Sequence, residues 1–221
     1  MNEETALSLL LEGKSIKDLS KNENRWILHS IYVGLAARRI AHELKLDEDY
    51  ALTIGYLHDI GRKINHNNHP IEGYLYLKDL GYSYIARYSL THSFINNDIR
   101  LTAGGGPKDL ESYNFINNYL KSTSLNIYDN IIQLCDLFCL ETGFTTIEKR
   151  MLDISMRKGI YDNSYDHFIS VMHLKNKIED KMGKDLYLLF PEIKEEDLIN
   201  RKEDYDKLIE MIKPKVLEKE K

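Results

Sequence analysis

The chain has 221 residues, 43% of them hydrophobic and 29% charged, with a formal net charge of −5. That length can bury a sizeable core without disulfide staples, as one domain or one domain with a tail. The acidic balance excludes a strong general electrostatic pull toward nucleic acid or an anionic membrane and leaves room for a local basic patch.

No stretch approaches the length of a membrane span. The N-terminal MNEETALSLLLEGKS is flanked by acids rather than by a basic leader, so no signal peptide is expected. No solenoid period or low-complexity tract is present. Cys135 and Cys139 lie in the apolar run Ile131–Leu140. An i,i+4 pair on one helix is poorly placed for a disulfide, so both are read as reduced core thiols of a cytoplasmic protein.

In chain order, Glu3–Leu11 predicts a short amphipathic helix ending near Gly13, and Ser15–Leu19 adds a turn. The first long helix is expected from about Asn24 to Leu44, because Ile27, Ile31, Leu35 and Ile40 recur at helical spacing. Its Gly34, Ala36, Ala37 and Ala41 allow a second helix to come close, and His29 sits beside the apolar stripe. Asp47 is a cap for a helix from Glu48 to about Ile60, which Gly61 stops with a left-handed turn. The polar connection Arg62–Asn68 leads to a helix that starts around Pro70 and runs to Asp79. Gly81 separates it from Tyr84–Thr91, which delivers His92.

Ser93–Lys108 is the least regular stretch. Its Gly104, Gly105, Gly106 and Pro107 lack the spacing and the Lys-Ser/Thr end of a P-loop, and read as a loop beside the active cleft. Asp109 caps Leu110–Leu120, and Tyr128–Leu140 forms an apolar helix that carries Asp136. Thr145 and Glu148 form a capping-box signature for a helix to about Lys158. Ser164–Met182 is amphipathic and closed by Gly183, and beyond Pro191 a final polar helix spans Asp204–Lys219. Few segments alternate with period two, so the expected fold is all-α, a bundle of about eight or more helices.

Several of these helices carry a metal-capable side chain within an apolar setting. His29 lies in WILHSIYVGLA, His58 and Asp59 in YLHDIGR, His92 in YSLTHS, and Asp136 in IIQLCDLFCL. Imidazole and carboxylate are common ligands of divalent zinc, iron, manganese and nickel. Adjacent residues cannot share a helical face, yet His58 and Asp59 can both reach one small object at a helix edge. Asp136 needs a strong partner, a cation or a buried arginine, because an unpaired buried carboxylate is costly.

The ordered set His29, His58–Asp59 and Asp136 resembles the HD-domain superfamily of metal-dependent phosphohydrolases, and His58–Gly61 has the His-Asp-Ile-Gly form of its HDIG subgroup. The resemblance covers roughly Asn24 to Arg157 and implies an HD-domain helical bundle with these four residues as metal ligands. HPIEG at His69–Gly73 resembles the HP..G element of members that bind two metals, and His92 falls where such members carry another histidine. The resemblance therefore implies one or two divalent transition metal ions (Fe, Mn, Ni or Zn), with His69 and His92 on the second and Asp59 bridging. A mixed His/Asp shell suits these ions better than magnesium or calcium.

Three departures weaken assignment to the cyclic-dinucleotide branch. Arg62 replaces the frequent lysine after HDIG, although Lys63 follows; the spacer from Gly61 to His69 is short; and Ser93 follows His92 where many members have histidine or threonine. The GYP element of one such branch is absent. The stretch ETGFTTIEKRMLDISMRKG resembles a tail of small stand-alone bacterial HD proteins and supplies Lys149, Arg150, Arg157 and Lys158.

The expected organisation is an N-terminal helical segment over 1–23, an HD-type metal-binding core over 24–160, and C-terminal helices over 161–221. The implied function is hydrolysis, by metal-activated water, of a phosphomonoester, phosphoanhydride or phosphodiester bond in a nucleotide-like substrate. His58 and Asp59 serve catalysis, and Arg62 or Lys63 neutralises non-bridging oxygens. The family leaves two alternatives open: a diiron oxygenase, and a catalytically inactive metal- and nucleotide-binding regulatory module. The expected partner is a small phosphorylated molecule rather than a membrane, and a nucleotide is favoured over nucleic acid because no long basic stripe is present. His66 is the nearest candidate general acid but reads as an exposed loop histidine. His42, His167 and His173 have no assigned role, and oligomeric state is not readable.

Overall fold

A computed structural model describes residues 1–12, 14, 16–19, 21–103 and 106–193. The expected helix Asp204–Lys219 and the glycines Gly104 and Gly105 lie outside the described residues. Regular structure among the described residues is helical apart from one short hairpin, so the all-α class is the one observed. The chain forms two compact units, Met1–Ser93 with Leu125–Gly143, and Phe94–Ser124 with Phe144–Lys221. Among the described residues no helix is long and apolar enough to cross a membrane.

The first unit holds α1 (Glu3–Leu11), α2 (Ile16–Leu19), α3 (Arg25–Glu43), α4 (Glu48–Leu57), α5 (His69–Asp79), α6 (Ser83–Thr91) and a later helix, Ile127–Asp136. Its core packs Ile27, Val33, Ala37 and Ile40 of α3 with Leu52, Ile54 and Leu57 of α4 and Ile131, Leu134 and Cys135 of the later helix, all fully buried. The small residues of α3 allow a backbone-to-backbone crossing. A Cβ on Gly55 would lie 2.5 Å from Gly34 Cα, and one on Gly34 would lie 2.4 Å from the Tyr56 ring. Asp47 caps α4 as expected, accepting from Tyr50 N–H at 2.9 Å.

α4 ends at Leu57 rather than near Ile60. His58 keeps helical dihedrals, Asp59 leaves them, and a 3₁₀ turn follows over Ile60–Lys63. Gly61 does not adopt a left-handed conformation. It is needed for a different reason: a Cβ there would lie 2.1 Å from His69 O and 2.4 Å from Gly73 N. The start of α5 is pressed directly onto the 3₁₀ turn, and Gly73 in turn lies against Ser89 of α6.

The second unit holds α7 (Leu110–Ser122), and α8 is the later helix of the first unit, Ile127–Asp136; α9 (Ile147–Lys158) and α10 (Ser164–Met182) complete the second. α8 stops at Asp136, four residues short of the expected end. Residues 139–140 form β1 (Cys139–Leu140), paired with β2 (Gly143–Phe144), and Gly143 takes a positive φ of 141° that favours glycine. Cys135 and Cys139 therefore do not share one helix; both are buried and neither is in a disulfide. α8 opens with a full capping box, Asn126 with Asp129. The buried Asp129 also accepts from Arg87 and from Thr91 Oγ1, each at 2.7 Å, which ties α6 to α8.

In the second unit the cap of α9 is Thr146, one residue after the expected Thr145, and it accepts from Lys149 N–H. Glu148 closes no capping box; its carboxylate accepts from Tyr187 O–H at 2.9 Å. α10 ends at left-handed Gly183, φ 69°, as its sequence predicts.

Replacing Gly55 by alanine drives a methyl group into the backbone of α3. We expect a loss of about 1–3 kcal/mol, typical of an overpacked core, visible as a thermal midpoint several degrees lower by circular dichroism. A variant that melts with the wild type would show that the crossing has room to spare.

Candidate metal centre

Five segments of the first unit deliver six side chains to one place. α3 presents His29 from its interior. His58 is the C-cap of α4 and Asp59 follows it; His69 is the first residue of α5; His92 is the C-cap of α6; Asp136 is the last residue of α8.

Each imidazole is held by a backbone carbonyl. Nδ1 of His29 lies 3.1 Å from Cys139 O, that of His58 2.7 Å from Gly55 O, that of His69 3.2 Å from His66 O, and that of His92 3.0 Å from Ser89 O. A carbonyl oxygen only accepts, so Nδ1 carries the hydrogen in all four rings, and Nε2 of the neutral ring presents a lone pair.

Those Nε2 atoms converge on the two carboxylates. His29 Nε2 is 2.8 Å from Asp136 Oδ1. His58 Nε2 is 3.7 Å from Asp136 Oδ1 and 3.7 Å from Asp59 Oδ2. On the other side of Asp59, Oδ1 is 3.0 Å from His69 Nε2 and 3.4 Å from His92 Nε2, and these two nitrogens are 3.3 Å apart. Lone pairs facing carboxylate oxygens, and one another, repel unless a proton or a cation lies between them. Within the described residues, His58 Nε2 and Asp59 Oδ1 are buried without an aligned hydrogen-bond partner; the approach of His69 to Asp59 is close but poorly directed. Orphaned buried acceptors of this kind are costly alone and are satisfied by a cation. Three overlapping groups bring their ligand atoms within 4.8 Å of one another: His29, His58 and Asp59; His58, His92 and Asp136; Asp59, His69 and His92. These clusters are capable of coordinating a divalent metal ion.

Burial opposes charge on the His58 imidazole, but Asp59 and then Asp136 outweigh it and raise the ring above its usual value, while both carboxylates are held ionised. Burial opposes ionisation of Asp136, but His29 and His58 outweigh it and hold the carboxyl well below its usual range. Asp59 behaves alike: burial is overcome by Arg62, His69 and His58. Burial pushes the His69 imidazole down to about 4 despite Asp59, with Arg62 and His92 adding to the effect, so the ring is neutral at neutral pH. Burial, with Asp136 beside it, raises the Cys135 thiol well above its usual value and leaves it unreactive.

The structure brings all six sequence-predicted ligands together and sets the expected Arg62 beside them, its Nε donating to Asp59 Oδ2 at 2.5 Å while its Nη1 contacts His66 Nε2 at 3.0 Å. Lys63 turns to Glu12 and to Tyr76, with a 2.6 Å bond to the phenol and its ammonium 3.9 Å from the ring centre. Lys149, Arg150, Arg157 and Lys158 belong to the second unit, where Arg150 and Arg157 both pair with Asp153. His42 contacts Glu48 at 2.8 Å, away from the cluster.

Sequence reasoning missed the carbonyls that orient the rings, and it missed how α6 is fixed. Gln133 Nε2 donates to Thr91 O at 2.9 Å, which joins the Arg87–Asp129–Thr91 contacts one residue before His92. The visible signal was a buried acid, Asp129, three residues after the helix cap Asn126.

Gly61→Ala tests the placement of His69. Its methyl would strike His69 O and Gly73 N, so the start of α5 must retreat from Asp59. We expect bound divalent metal to fall while the helical circular-dichroism signal persists; unchanged metal content would mean that this contact does not position His69.

Residues 26–139, just over half of the chain, match the HD domain family. The chain belongs to that family. No curated protein and no solved structure matches it.

Proposed function

We propose that this member of the HD-domain family, with the HDIG form at His58–Gly61, is a metal-dependent phosphohydrolase acting on a small phosphorylated, nucleotide-like substrate. The observation that carries the proposal is the convergence of four carbonyl-oriented Nε2 atoms on Asp59 and Asp136, with His58 Nε2 and Asp59 Oδ1 lacking partners of their own. His29, His58, Asp59 and Asp136 would hold one ion, and His69 and His92 with Asp59 a second. When bound, divalent iron, manganese, nickel or zinc at such a site polarises a phosphoryl oxygen and lowers the pKa of water.

The chain's own residues do the rest. The carbonyl contacts keep each ring in one tautomer and one orientation, so the donor set needs no rearrangement. Asp59, ionised beside Arg62, offers one oxygen toward His58 and the other toward His69 and His92. Arg62 is only partly buried at the edge of this cluster, where its guanidinium neutralises non-bridging phosphoryl oxygens. Lys63, released from Glu12, supplies a further cation beside it. Buried cysteines outside any disulfide, Cys135 and Cys139, suit a reducing compartment, and we place the protein in the cytoplasm.

The test is reconstitution of metal-free protein with Fe(II), Mn(II), Ni(II) or Zn(II) separately, with metal content and hydrolysis of nucleoside polyphosphates, dinucleoside polyphosphates and p-nitrophenyl phosphate measured for each. Asp59→Ala is expected to lose metal and to cut kcat/KM by more than about 100-fold. If it leaves both intact, the proposal is wrong. Arg62→Ala is expected to keep its metal and lose about 10- to 100-fold in kcat/KM, the scale of one charge-assisted hydrogen bond. An equal rate in that variant would remove Arg62 from the phosphate site.

A further inference from the structure

We propose that Ser93 sets the affinity of the second metal position by competing for the His92 lone pair. The inference rests on the reading of Asp59, His69 and His92 as the ligands of a second ion.

Ser93 Oγ lies 2.8 Å from His92 Nε2. The other nitrogen of the ring, Nδ1, is committed to two carbonyls, Ser89 O at 3.0 Å and Tyr88 O at 3.2 Å. In the neutral ring the hydrogen therefore resides on Nδ1, and Nε2 has a single lone pair. The Ser93 hydroxyl can only be the donor to it. One lone pair serves either that hydroxyl or a cation, never both.

The environment makes the competition matter. His92 is 3% exposed, so its lone pair has little access to water, and the serine is its stabilising donor when no cation is present. The remaining neighbours of Nε2 offer no hydrogen for certain: His69 Nε2 at 3.3 Å presents its own lone pair, and Asp59 Oδ1 at 3.4 Å is an acceptor. Ser93 is itself only partly buried, so its hydroxyl finds other acceptors once displaced. Its contact with His92 is thus a bond that exists before the second ion binds and is lost afterwards. Removing it should strengthen binding at that position and leave the position built on His29 unaffected.

The experiment titrates metal-free wild type, Ser93→Ala and Ser93→Thr with Mn(II) alone. Electron paramagnetic resonance follows free Mn(II) and the spin-coupled signal of a neighbouring pair, and thermal melts confirm that each variant is folded. The wild type is expected to take up two ions, the second more weakly. Ser93→Ala is expected to tighten the second step by about 2- to 10-fold, the scale of one neutral hydrogen bond, with the first step unchanged. Ser93→Thr keeps the hydroxyl and is expected to bind as the wild type does. A second step that is unchanged or weaker in Ser93→Ala, with two ions still bound, overturns the role of Ser93 alone. A wild type that binds fewer than two ions at saturation overturns the two-ion reading, and the Ser93 proposal with it; wild-type stoichiometry tells the two failures apart.

Discussion

The site depends on a hydrogen bond made four times: an imidazole Nδ1–H given to a backbone carbonyl. In three of the four the carbonyl belongs to the residue three positions earlier, Gly55 for His58, His66 for His69 and Ser89 for His92. For His58 and His92 this follows from their place as C-caps. The last carbonyls of a helix have no partner within it, so a ring at the C-cap can fold back onto them. The fourth acceptor is supplied by tertiary structure. Cys139 O is available to His29 because α8 ends at Asp136 and the chain turns into β1. The same helix ends have a second effect. α4, α6 and α8 all bring their C-termini to the cluster, and the partial negative charge there favours a cation. His69 stands instead at the N-terminus of α5, where the opposite charge favours a neutral imidazole.

Convergence of this kind needs elements closer together than ordinary side-chain packing allows. Two glycine contacts provide it. Gly34 and Gly55 let α3 and α4 touch through their backbones, which sets His29 and His58 with ring centres 5.4 Å apart. Gly61 and Gly73 let the 3₁₀ turn after Asp59 meet α5, which sets His69 beside Asp59. A methyl group on Gly55 or Gly61 would have to displace backbone, and one on Gly34 or Gly73 would first meet the Tyr56 ring or the Ser89 side chain. The sequence between His58 and His69 is therefore constrained by sterics as much as by coordination chemistry. Ile60 fills the core while Gly61 leaves room for its neighbour.

Much of this was legible in the chain because it is local. α1 and α10 begin and end where their sequences predict, and Asp47, Asp109 and Gly183 act as the caps they resemble. Five of the six metal-capable residues could be named because each is a polar group in an apolar setting, and His69 because His69–Gly73 resembles an HP..G element. What was not legible is tertiary. Tyr128–Leu140 reads as one apolar helix, and nothing in its hydropathy marks Asp136 as the end; the hairpin that stops it is stabilised by pairing with Gly143–Phe144. Gly61 has the local pattern of a left-handed helix stop, but its requirement comes from α5, eight residues on. Thr145 with Glu148 has the capping-box pattern, yet the cap is Thr146, and the Glu148 carboxylate accepts from Tyr187 instead. Lys63 has the composition of a phosphate ligand, yet Glu12 and Tyr76 fix its ammonium here.

Charge decides how an anionic substrate could approach such a protein. The chain as a whole is acidic, with a net charge of −5, so its long-range field opposes a phosphorylated molecule. With its imidazoles in the neutral form that can bind a cation, the cluster has two ionised carboxylates and one guanidinium, one net negative charge. The first divalent cation held there would reverse that sign and a second would add to it, where water is scarce and Coulomb interactions are strongest. On the proposed reading, attraction for phosphate is a property of the loaded site and not of the surface around it. Four further acids in place of the histidines would bind cations more tightly but cancel the positive charge that a phosphorylated substrate would meet. His69, kept neutral by burial and by Arg62, is part of that balance: it donates a lone pair without adding a negative charge.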